Sequence, residues 1–146
     1  MVGIWRRTVV RLVGVFGLAA MLSLMIANKT GLNPTHPIVD ELAQPGWGRW
    51  GIVALAVIWA PLTEETMFRG LLFPGLSSMS RWWAGAIVSA FVFAVIHPQG
   101  WAGVPPIMAI ALTMSSLRLV RGSIIAPMTA HAVNNGLVSL LMVFAM

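Results

Sequence analysis

The chain has 146 residues, nine Lys and Arg against four Asp and Glu for a net charge of +5, and no Cys. With 58% hydrophobic and 9% charged residues and a mean hydropathy of +0.87, it lies far from the roughly 45–50% apolar, 25% charged mix of soluble domains, and its charges are too few to cover a globule in water. The composition specifies an integral membrane protein, and the lack of Cys excludes a disulfide scaffold, a thiolate metal site and a Cys nucleophile.

The first apolar run, Leu12 to Ala27, reaches bilayer-spanning length with Val9, Val10 and a snorkelling Arg11. Its basic amino end also suits a signal peptide, but no small-x-small cleavage site leads into a soluble domain. Asn28 to Gly48 carries Pro34, Pro37, Pro45, Asp40 and Glu41 and reads as an external loop. Gly46-Trp47-Gly48-Arg49-Trp50-Gly51 fits the G-x-G-x-x-G pattern by coincidence, since no strand precedes it and an apolar helix follows. The second predicted span runs from Trp50 to Phe73, where Pro74-Gly75 ends it, and Ser77 to Arg81 forms an interfacial turn. Trp82 to Ile96 is a third span, Pro98 to Pro106 a break, Ile107 to Leu117 a fourth span and Ile124 to Met146 a fifth. The expected fold is an all-α, polytopic bundle of about five membrane helices around a polar cavity. It divides into an amino-terminal helix and loop over 1–49 and a core over 50–146.

Arg6, Arg7, Arg11, Arg81, Arg118 and Arg121 fall on one side of these spans, against Lys29 and Arg49 on the other. The positive-inside rule then puts the amino terminus in the cytoplasm and the chain in the cell membrane. The basic residues flank apolar runs rather than forming a patch, so nucleic acid is excluded as a partner despite a pI near 11.8.

Glu64, Glu65, Arg69, His97 and His131, with Asn134 and Asn135, lie inside predicted spans, where each ionisable group needs a partner, a wet cavity or a function. Glu65 and Arg69 stand in the favourable i, i+4 order for an ion pair, while Glu64 points about 100° away around the helix and keeps no cation. A lone carboxylate in a low-dielectric cavity is the group that a general base near neutral pH requires. Phe93 with His97, and His131 with Asn135, repeat the i, i+4 spacing and put a ring with an imidazole on one face, and an imidazole with an amide on another. At about 1.5 Å per residue, His97 lies roughly 24 Å from Arg81, His131 roughly 15 Å from Arg121, and Glu64 roughly 14 Å from the Phe73–Pro74 end, so a common cavity is feasible. Structural alternatives are a cross-link between helices through Arg69 and polar bonding between helices through the two Asn residues, the favoured reading for Asn134.

Glu64-Glu65-Thr66-Met67-Phe68-Arg69, then Phe93 and His97, then His131 and Asn135 resemble, in order, the E-E-x-x-x-R, F-x-x-x-H and H-x-x-x-N motifs of the CPBP family of CAAX-protease and bacteriocin-processing membrane endopeptidases. Gly122-Ser123 and Ala126-Pro127 resemble that family's lead-in to its last motif, and the likeness covers residues 52–141. It implies cleavage of a peptide bond in or beside the membrane. Glu64 and His97 would activate water, His131 and Asn135 would donate to the oxyanion, and Glu65, Arg69 and Phe93 would support them. The implied partners are lipids and a peptide or lipidated protein. No cofactor is expected on this route; the alternative is a zinc ion held by Glu64, His97 and His131 with an open position for water, against which no H-E-x-x-H occurs. The chain is shorter than many relatives, so a homo-oligomer, lipid or another partner would complete the cavity wall. Competing functions are a non-catalytic immunity or scaffold protein and a small transporter or proton relay.

Overall fold

The computed structural model describes residues 44–145 and, ahead of them, Met25, Lys29, Glu41 and Leu42. The predicted first span apart from Met25, most of the external loop and the basic residues before Lys29 lie outside the described residues. The described chain is all helical, without a strand, and forms four long elements: α1 Trp47–Met79, α2 Trp82–Val95, α3 Gly100–Arg121 and α4 Ile125–Ala145. α2 runs back along α1, with Gly85 beside Ser77 and Phe93 beside Phe68, and also lies along α3, whose Arg118 reaches Arg69 and Ser77 toward the end of α1; α4 closes against α3 and the first half of α1. Arg81, Arg118 and Arg121 therefore gather at one end of the bundle.

Among the described residues two helices, α1 and α3, are long and apolar enough to cross a membrane. The predicted third span is an apolar helix of 14 residues, about 21 Å long, short of the roughly 30 Å hydrocarbon layer.

Prolines do not break the helices where the sequence suggests. α1 continues through Pro74-Gly75 to Met79, and α3 starts at Gly100 with Pro105 and Pro106 inside it, in place of the predicted break. In α3 the two prolines sit in the second turn, where a φ near −65° suits the helix and the cost is confined to the carbonyls four residues back. In α1 the accommodation is a change of register. Two π segments, Leu55–Trp59 and Thr66–Leu72, each stop one residue short of a proline. In this register Ala60 donates to Leu55 O and Phe73 to Phe68 O, each five residues back. Pro61 and Pro74 have no N–H to give, so the Ala56 and Arg69 carbonyls lose their backbone donors. Side chains from other helices take both: Asn135 Nδ2 donates to Ala56 O at 2.9 Å and Arg118 Nε to Arg69 O at 3.3 Å.

Phe68, Ala90, Phe93 and Ala111 form the buried core between α1, α2 and α3. Gly85 lets α2 approach the end of α1, because a Cβ there would lie 2.5 Å from Ser77 Oγ and 2.9 Å from Ser77 N. Gly122, at φ 63°, ends α3 by donating to Arg118 O at 3.0 Å, a left-handed cap that favours Gly. Gly85→Val is expected to cost about 1–3 kcal/mol by forcing these backbones apart, read as a lower thermal midpoint of the full chain in detergent.

Candidate active site

The Glu64–Glu65 pair is divided between two environments by the 100° step around α1. Glu65 faces inward and is 0% exposed; its Oε1 accepts from Arg69, itself 1% exposed, at 3.0 Å. Arg69 also donates to Ala111 O on α3 at 2.9 Å, so the ion pair does cross-link helices, as one of the sequence readings expects. The guanidinium carbon lies 4.7 Å from the Phe93 ring centre, a cation–π arrangement.

The same Glu65 oxygen meets His131 Nδ1 at 2.8 Å, which ties α4 to α1. A carboxylate only accepts, so His131 donates from Nδ1 and turns Nε2 toward the cavity. His97 Nδ1 donates to Phe93 O at 2.6 Å, which likewise commits its Nε2 to the cavity. Phe93 supports this arrangement: its ring centre is 4.3 Å from that of His97 and 4.9 Å, edge to face, from that of Phe68.

Glu64 faces the other way, 30% exposed, with Oε2 at 3.9 Å from His97 Nε2 and 3.8 Å from His131 Nε2. These separations are too long for direct hydrogen bonds, and Oε2 has no hydrogen-bond partner within the protein. One water donating at about 2.8 Å to both Glu64 Oε2 and His97 Nε2 would bridge the 3.9 Å between them. The three side chains line a cavity of about 690 Å³ together with Asn134 and Asn135. Its wall is mainly apolar, including Leu42, Ile52, Trp59, Ile107 and Met142, and Gln99 and Ser139 add to its polar groups.

Asn135 differs from the expected open donor. One amide N–H goes to Ala56 O, and Asn134 Nδ2 lies 3.3 Å from Asn135 Oδ1. Sequence spacing also missed Arg118 and the Ala111 and Ala56 carbonyls. Arg118 reads as a membrane-flanking cation, and only the prolines at 61 and 74 signal that carbonyls upstream are freed. The zinc alternative uses Glu64, His97 and His131, yet among the described residues no group of three His, Asp or Glu side chains is arranged to hold a metal ion.

A family model described as type II CAAX prenyl endopeptidase Rce1-like matches residues 46–137. Among curated proteins, an uncharacterized 24.3 kDa protein of Escherichia coli is 29% identical over 125 residues, which cover 82% of this chain and 54% of that protein. The chain thus spans about half the length of the curated relative it matches. No solved structure matches. The family match takes in every side chain of the cluster and more than half of the sequence, and the chain belongs to the Rce1-like family of type II CAAX prenyl endopeptidases.

Proposed function

We propose that this protein is an integral membrane endopeptidase that hydrolyses a peptide bond with water activated by Glu64. The observation that carries the reading is Glu64 Oε2, unpartnered and facing the Nε2 atoms of His97 and His131 at 3.9 and 3.8 Å. Membership of an endopeptidase family and two helices long and apolar enough to cross a membrane support it. In a bundle that spans the bilayer, the Arg81, Arg118 and Arg121 end faces the cytoplasm.

The water gives a proton to Glu64 while its oxygen attacks the scissile carbonyl carbon. Glu64 then returns that proton to the leaving amine as the C–N bond breaks. His97, with Nδ1 committed to Phe93 O, offers an Nε2 lone pair that orients the water. His131 is more constrained than a free imidazole. With Nδ1–H on Glu65, its neutral ring presents a lone pair at Nε2, so donation to an oxyanion requires the protonated ring, and Glu65 is the carboxylate facing it. Asn135 adds its second amide N–H. Such fixed donors in a site shielded from water contribute about 3–4 kcal/mol to the barrier reduction. The mainly apolar wall suits an apolar peptide or the lipid of a prenylated one.

The test is cleavage of a farnesylated peptide ending in a C-a-a-X tetrapeptide by the purified full chain in detergent, with products identified by mass. The peptide is expected to lose its last three residues; an intact peptide would count against the reading. The glutamate route also predicts no stoichiometric zinc and full activity in chelator. One equivalent of zinc, with activity lost to chelation and restored by the metal, would reverse the choice of mechanism.

A further inference from the structure

Two contacts choose the orientation of the Asn135 amide. Nδ2 faces Ala56 O at 2.9 Å, and Oδ1 faces Asn134 Nδ2 at 3.3 Å. Turned by 180°, the amide would set oxygen against the Ala56 carbonyl and nitrogen against the Asn134 amino group, losing both bonds. In the observed orientation one N–H is spent on Ala56, and the other is left for the cavity that Asn135 lines.

The Ala56 carbonyl is free to accept because of the register of α1. Ala60 gives its N–H to Leu55 O, and Pro61 has none to give. The construction recurs at Pro74, where Phe73 bonds Phe68 O and the freed Arg69 carbonyl is met by Arg118. At both places a π segment followed by proline exposes a carbonyl that a side chain from another helix occupies, so the register serves to dock specific donors.

We propose that Pro61, through the carbonyl it frees at Ala56, and Asn134 are positioning residues that hold the Asn135 amide with its second N–H toward the reacting carbonyl. This rests on the hydrolytic reading of the site. Pro61→Ala restores a backbone N–H. If the π register extends, that N–H reaches Ala56 O; if the α register returns, the Ala60 N–H does. Either way Asn135 loses sole possession of the carbonyl.

A melting cycle on the full chain in detergent reads the first half of the proposal without substrate. Asn135→Ala is expected to lower the thermal midpoint by about 4 °C or more when Pro61 is present, because a part-buried carbonyl is left without its donor. In the Pro61→Ala background the same change is expected to lower it by less than about half as much. Additive falls would overturn the role of Pro61. Kinetics with the farnesylated peptide read the second half. Pro61→Ala and Asn134→Ala are each expected to lower kcat about tenfold with KM held within about twofold, and Asn134→Asp to lower kcat further, since an ionised carboxylate opposes Asn135 Oδ1 and turns the amide. Losses carried by KM, or equal losses for Asn134→Ala and Asn134→Asp, would overturn positioning. A wild type that leaves the peptide intact would count against hydrolysis itself, while the melting cycle would still decide whether Asn135 depends on the carbonyl that Pro61 frees.

Discussion

Glu64→Gln is expected to lower kcat by about 10³-fold or more while leaving the fold intact. The substitution keeps the size of the side chain but removes the oxygen that the proposed route uses to take the proton of water, and general base catalysis contributes about 10²–10⁴-fold. Folding is spared because Glu64 Oε2 makes no hydrogen bond within the protein and its side chain is 30% exposed to the cavity. KM is expected to hold, since the loss falls on the transition state alone. A non-catalytic membrane protein with the same polar cluster predicts the reverse: full function in Glu64→Gln, whatever the assay of that function. Steady-state kinetics and a melting curve on the same preparation separate the two.

Arg69→Met is expected to have the largest effect on stability. It leaves Glu65 charged at 0% exposure with His131 as its remaining partner, and it removes the bond to Ala111 O that ties α1 to α3. Breaking a buried ion pair by deleting one member costs about 3–5 kcal/mol, a fall of about 10 °C or more in the thermal midpoint. Arg69→Lys is expected to fall between, since an ammonium cannot serve Glu65 and Ala111 at once with the geometry of a guanidinium. The double variant Glu65→Leu with Arg69→Met is expected to regain part of the stability, because no buried charge is left unpaired. Its cleavage should stay low, because His131 Nδ1 then has no carboxylate to hold its ring. Recovery of both together would contradict the role given to Glu65.

Much of this cluster is legible in the sequence for one physical reason: a charged group in an apolar helix has few places to go. The i, i+4 spacing of Glu65 and Arg69 delivers the 3.0 Å ion pair, and the turn of one residue separates Glu64 from it into the cavity. Phe93 and His97 meet ring to ring at a tilt, as their place on one helical face allows. What the spacing does not carry is the partner on another helix. Neither the Arg69 bond to Ala111 O nor the Asn135 bond to Ala56 O can be read from the neighbours in sequence. The helices also run through Pro74 and through Pro105-Pro106, where the sequence predicts ends. At Pro74 a π turn ahead of the proline absorbs the lost donor without ending the helix, and in α3 the two prolines lie in the second turn, where the lost bonds are confined to the helix start. Arg118 illustrates the same limit: at the edge of an apolar run it looks like an interfacial cation, yet its Nε closes the gap that Pro74 opens.

The water itself is the most direct test. In a crystallographic map of the full chain in a lipidic phase, at a resolution that shows ordered solvent, a peak is expected within about 3 Å of both Glu64 Oε2 and His97 Nε2. A Glu64 carboxyl turned toward the acyl chains, or hydrocarbon side chains packed into the space between it and the two rings, would contradict the account.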